Sequence, residues 1–128
     1  MRFTDLIAQP DIMETIDLFT DFAVSELELE KPPVVVVTTN GGLGTTFGSY
    51  DPNDDIVYVE VSNRHPMDIL RTLAHEFVHY RQDMNDELTA DSGKDGSEHE
   101  NEANAMAGVL MRKFGKRKPE LFRALAVR

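Results

Sequence analysis

Residues 66–83 constrain this chain more than any other stretch. Pro66 is a good first helical position, and no further proline or glycine interrupts the run. Ile69, Leu70, Leu73, Ala74, Phe77 and Val78 recur at helical spacing and make one apolar side. Thr72, His75, Glu76 and His79 line the neighbouring side. A helix of this kind must be packed against, so the rest of the chain has to be built around it. Its polar side also carries a chemical proposal. His75 and His79 stand one turn apart, so two imidazole nitrogens can reach one metal ion, and Glu76 can reach a water on that ion. The blander alternative is a pair of core-edge histidines at i, i+4.

At 128 residues the chain is long enough for one domain, 1–128, with a real core and no covalent staples. It has no cysteine, which excludes a disulfide framework, a thiolate metal site and a cysteine nucleophile. A metal here must be held by histidine and carboxylate. No apolar run approaches the length of a membrane span, and the first residues, Met1 to Asp5, lack the apolar core of a signal peptide. A soluble, cytoplasmic protein with no membrane partner is the expectation.

The net charge of −10 conceals an asymmetry. A basic tail, 112–128, holds seven Lys or Arg against one acid, Glu120, while the remainder of the chain is strongly acidic. A basic tail is one mark of nucleic-acid binding. With so acidic a body, neutralisation of that body is the favoured reading, and nucleic acid is not expected as a partner.

Taken in order, Thr4 or Asp5 can start a short helical turn that Pro10 interrupts. Asp11 then caps a helix over 12–27, with Ile12, Ile16, Phe19, Ala23 and Leu27 as its buried stripe. Pro32 and Pro33 stop it. Residues 34–39, four valines and two threonines, read as a strand covered on both faces. Asn40-Gly41-Gly42 reads as a turn, residues 45–50 as a second strand weakened by Gly48, and 51–54 as another turn. Residues 56–61 alternate, with Val57, Val59 and Val61 on one side, and read as a half-exposed third strand. The three strands are expected to form an antiparallel meander. Residues 86–96 read as a loop. A last long helix over 98–114 follows, with Gly115 as its C-cap. Its stripe is Ala103, Met106, Ala107, Leu110, Met111 and Phe114. From Pro119 a short terminal helix can dock through Leu121, Phe122 and Leu125. Met84, Met106 and Met111 read as core filling. The fold class is α+β.

Two histidines leave a tetrahedral metal site short of a protein ligand. Helix phase separates the candidates for the third. Glu100 lies in line with Ala103, Ala107, Leu110 and Phe114, so its carboxylate points between packed helices; Glu98 and Glu102 fall on other faces. Glu100 is the favoured ligand, with Glu102 and His99 as alternatives. Asn104, one turn on, can orient Glu100 or a ligating histidine. Against this, Ser97-x-x-Glu100 is also a capping box, which explains the glutamate without any metal.

His75-Glu76-x-x-His79 followed by Glu100-x-Glu102-Ala103-Asn104-x-x-Ala107 resembles the gluzincin metallopeptidases, and most closely the minimal single-core kind such as the ImmA/IrrE family. The resemblance covers residues 50–114. It implies Zn2+ on His75, His79 and Glu100, with Glu76 as the catalytic base. It also implies a zincin-like fold in which a small antiparallel sheet sits above the metal helix, its edge strand facing the cleft. Phe77-Val78 stands where that family often has Leu-Gly.

The residues therefore point to zinc-dependent hydrolysis of a protein or peptide substrate, with 56–61 able to hold an extended peptide if it is a sheet edge. The oxyanion needs a further donor, for which Tyr80, His99, His65 and Tyr50 all stand as candidates. Two other readings remain open: a zinc-binding regulatory or protein-interaction module without turnover, and a metal-free structural protein.

Overall fold

The computed structural model describes residues 11–92 and 94–127. The turn expected near Thr4 or Asp5 and its interruption at Pro10 lie outside them. The described elements run α1 (Ile12–Glu26), β1 (Val34–Thr38), β2 (Gly48–Asp51), β3 (Ile56–Glu60), α2 (Pro66–Met84), α3 (Glu98–Arg117) and α4 (Pro119–Ala126). The class is α+β, as the periodicities predict.

The long helix is the centre of the fold. α2 packs against α1, α3 and α4 on one side and against β2 and β3 on the other. Its side chain cap is His65, whose Nδ1 accepts from the Met67 N–H at 3.1 Å, and Pro66 fills the first turn. Asp11 caps α1 in the same way through Met13. The expected stripe of α1 is buried at Ile16, Phe19, Ala23 and Leu27. Phe19 stands edge-on to Phe114 at 5.0 Å and is stacked near Phe77 at 6.4 Å, so one aromatic cluster ties α1, α2 and α3 together. Each such ring, removed from water, contributes about 1.5–3 kcal/mol. Phe77 and Val78 are both fully buried, which gives the Phe-Val pair inside the histidine motif a packing role.

The sheet departs from the expected meander. Its strand order is β1-β3-β2, with β3 antiparallel to β2 but parallel to β1. Residues 39–47 are too long for a tight hairpin; they carry the chain past the place of β3 to the far edge. The β2–β3 hairpin then returns β3 to the middle. The third strand is therefore central rather than an edge, and Val57, Val59 and Glu60 are all buried. The valine run is not covered on both faces either. Val35 and Val37 pack on the core, while Val34 stays 58% exposed on the edge strand.

Glu60 explains how the long connection is held. Its Oε1 accepts from the N–H groups of Gly41 (2.9 Å) and Gly42 (3.2 Å), and its Oε2 from that of Ser62 (2.9 Å). These backbone donors, the Ser62 N–H foremost, hold the carboxyl below the usual range. A lowered pKa means the folded state is favoured by the ionised form: the contribution is present above the unfolded value and is lost as pH falls through the folded one. Glu60→Gln is expected to lower the urea midpoint at pH 7. The gap to the wild type should narrow below about pH 4, and a gap that stays constant with pH would remove charge from the explanation.

Two further positions differ from expectation. Gly115 lies inside α3, which runs on to Arg117. A Cβ there would meet the Phe122 ring at 3.2 Å, so the glycine serves the close approach of α4 rather than a helix end. Met84 is 43% exposed, whereas Met111 is buried as expected and Met106 partly so. Leu125 is fully buried, with Leu121 and Phe122 packed beside it. The basic tail meets the acidic body directly, through Lys113 to Glu26 at 2.6 Å and Arg117 to the same carboxylate at 3.7 Å. No helix among the described residues is long and apolar enough to cross a membrane.

Candidate metal centre

α2 and α3 bring His75, His79 and Glu100 to one point, with one donor atom of each within 4.8 Å of the others. The Nε2 atoms of His75 and His79 are 3.1 Å apart. Glu100 bridges them, Oε1 to His75 at 2.8 Å and Oε2 to His79 at 3.1 Å. Ser97 does cap α3, accepting from the Glu100 N–H at 3.1 Å, but the Glu100 carboxylate turns to the histidines. The cap and the metal-ligand position are thus compatible, and the capping box does not account for where the side chain goes.

The tautomer of His79 follows from its neighbours. Gln82 is fully buried; its amide nitrogen lies between two acceptors, the His99 carbonyl (3.0 Å) and Glu102 (2.8 Å). Its Oε1 must then face His79 Nδ1, 2.8 Å away, so that nitrogen carries the hydrogen. In the neutral ring, Nε2 is left with a bare lone pair. Burial holds His75 below the ordinary imidazole range, with the Glu100 charge and the Asn104 side chain opposing and His79 adding to it. Two imidazoles and a carboxylate thus converge on one point. Such a group could hold a metal ion.

The sequence reading missed Gln82. The available signal was a polar residue three after His79, on a helix face otherwise buried. Glu102, the alternative ligand, instead fixes Gln82, and His99, the other alternative, is taken by Ser92 at 2.9 Å. Of the remaining oxyanion candidates, His65 caps α2, Tyr80 donates to the Lys31 carbonyl at 3.2 Å, and Tyr50 donates to Asp83.

Glu76 is next to the cluster, its Oε1 3.9 Å from His75 Nε2. Burial, helped by the Glu100 charge, pushes its carboxyl up to about 8 with no metal present. Two grooves meet at this side chain. One, of about 690 Å³, runs past His75 and Glu100; the other, of about 430 Å³, runs past His79 and Tyr50. A larger groove of about 800 Å³ lies elsewhere, along Tyr80 and Met84, and shares no residue with the triad. Size does not mark the chemistry here; converging donors do.

β2, not β3, is the strand beside the cleft. It can lie against α2 because residue 48 is glycine. A Cβ there would overlap the Thr72 side chain and press on Glu76 Cγ at 3.3 Å. Gly48→Ala should force β2 away from α2 and destabilise the protein by about 1–3 kcal/mol. A urea titration measures this; an unchanged midpoint would show that the strand gives way freely.

Comparison with known proteins finds no family model, no characterised protein and no solved structure that matches this chain. The likeness to gluzincins therefore rests on its own residues.

Proposed function

We propose that this chain is a zinc-dependent peptidase of the gluzincin kind, with His75, His79 and Glu100 as the metal ligands and Glu76 as the general base. The observation that carries the reading is the convergence of those three side chains beside a buried glutamate where two grooves meet. The donor set supports zinc. It is two imidazoles and one carboxylate, without sulfur, and leaves room for a fourth position. Donor atoms around a tetrahedral zinc stand about 3.3 Å apart, close to the separations of 2.8–3.1 Å here.

Zinc, when bound, supplies Lewis acidity that makes a water acidic near pH 7 and polarises a carbonyl. The chain's own residues do the rest. Gln82 fixes the His79 ring, and Glu102 fixes Gln82. Glu76 takes a proton from the attacking water and returns it to the leaving amine. Its burial keeps that proton transfer away from bulk solvent, and the grooves on either side give an extended peptide a path across it.

The non-turnover zinc module remains a second reading, favoured by one observation: the hydroxyls of Tyr50 and Tyr80 already donate elsewhere, to Asp83 and to the Lys31 carbonyl. Elemental analysis of protein purified without chelator should give about one zinc per chain. Digestion of a mixed peptide library should then yield fragments that disappear with a chelator and return with zinc. No metal would sink both readings; metal without fragments would leave the second.

A further inference from the structure

Away from the metal cluster, the two arms of the cleft differ in charge. The arm past His79 holds Asp83 and, among the described residues, no Lys or Arg. The arm past His75 is lined by Phe47, Arg64, His65, Asp68, Arg71 and Thr72. Glu76 and Glu100 line the groove where it meets the cluster; beyond them, two guanidinium groups stand against the one carboxylate of Asp68, a locally basic stretch on a chain whose net charge is −10.

Arg64 is built into this arm. It lies over the Phe47 ring at 4.4 Å and donates to the Glu60 carbonyl (3.2 Å), the Asp68 carbonyl (3.2 Å) and Thr72 Oγ1 (2.8 Å). These contacts use three of its five N–H groups. Neither Arg64 nor Arg71 forms an ion pair with a carboxylate among the described residues. Arg71 is exposed and stands one helical turn before His75 on the same side of α2. His65 adds a donor: its Nδ1 accepts from Met67, so in the neutral ring the proton is on Nε2.

We propose that this arm binds a carboxylate of the peptide, with Arg71 and Arg64 as its charged donors. The inference rests on the peptidase reading and adds the substrate class: a peptide with an acidic group on the His75 side of the scissile bond. A carboxylate matches the planar fork of arginine, and Phe47 supplies an apolar wall for the methylenes that carry it. The acid can be an Asp or Glu side chain or the peptide's own C-terminus.

The test separates these sources and does not depend on turnover. Calorimetry with zinc-loaded Glu76→Gln protein would compare three peptides of one sequence: a neutral amidated one, one with an internal Glu, and one with a free C-terminus. At least one acidic peptide should bind about tenfold tighter than the neutral one, with the difference shrinking at high salt. The tighter arm names the source. Arg71→Gln should bring the ratio close to one, Arg71→Lys should keep part of it, and Arg112→Gln, on α3, should leave it intact. Equal binding of all three peptides, no binding of any, or a preference that survives Arg71→Gln would overturn the proposal. Preference without cleavage by the wild type would keep this inference and remove the peptidase reading; cleavage without preference would do the reverse.

Discussion

Replacing Glu76 by Gln should lower the rate of peptide hydrolysis by about two to four orders of magnitude, the range for losing a general base, and leave zinc in place. The side chain is no member of the ligand triad, and glutamine has nearly the same shape. The same substitution should make the metal-free protein more stable. Burial, with Glu100 beside it, raises the Glu76 carboxyl to about 8 in the fold. A carboxyl raised in this way costs stability as pH climbs from its unfolded value towards the folded one. The amide carries no such cost. Urea midpoints of the two metal-free proteins should therefore coincide near pH 4 and separate by pH 8 in favour of Glu76→Gln, by an amount on the order of a few kcal/mol. A variant less stable at pH 8 would mean that the carboxylate is satisfied in the fold. Full activity in the variant would remove Glu76 from the role of base.

The second large effect concerns the metal itself. Glu100→Ala deletes the carboxylate whose two oxygens meet one histidine each. Its zinc affinity should fall by more than about a hundredfold, beyond what the loss of an orienting partner brings. Glu102→Ala deletes only the group that holds Gln82 and should cost about tenfold or somewhat more. Competition with a chelating dye measures both. Equal losses, or a larger loss for Glu102→Ala, would overturn the assignment made from helix phase.

The placement of Glu100 beside the two histidines was legible because helix phase is local. Residues spaced by three and four fix which side of α3 is buried, and Glu100 shares that side with Ala103 and Ala107. The caps at Asp11 and Ser97 and the burial of α1 were legible for the same reason. The sheet was not. Whether β1 pairs with the strand that follows it or the one after is decided by contacts far apart in sequence, and the Gly-rich stretch after β1 resembles a hairpin turn locally. Glu60 fell to the alternation rule: a charged residue at an outward position was read as exposed, yet it is buried by the backbone of a distant loop. Gly48 and Gly115 looked like a weakness and a stop. Each is instead a point where another element comes too close for a side chain, which no single segment can reveal.

The strand order also bears on how the chain reaches this state. β2 and β3 are neighbours in sequence and can zip together within microseconds once their turn forms. β1 pairs with β3 alone among the described strands, and it must wait until that hairpin swings back beside it. Long-range parallel pairing of this kind is a slow step. Until it happens, the four valines of β1 are an unpaired β-prone run with nothing charged among them, the sort of segment through which half-folded chains find one another. The acidic character of the surrounding chain, which keeps like molecules apart, is then a safeguard during folding as much as a property of the finished surface.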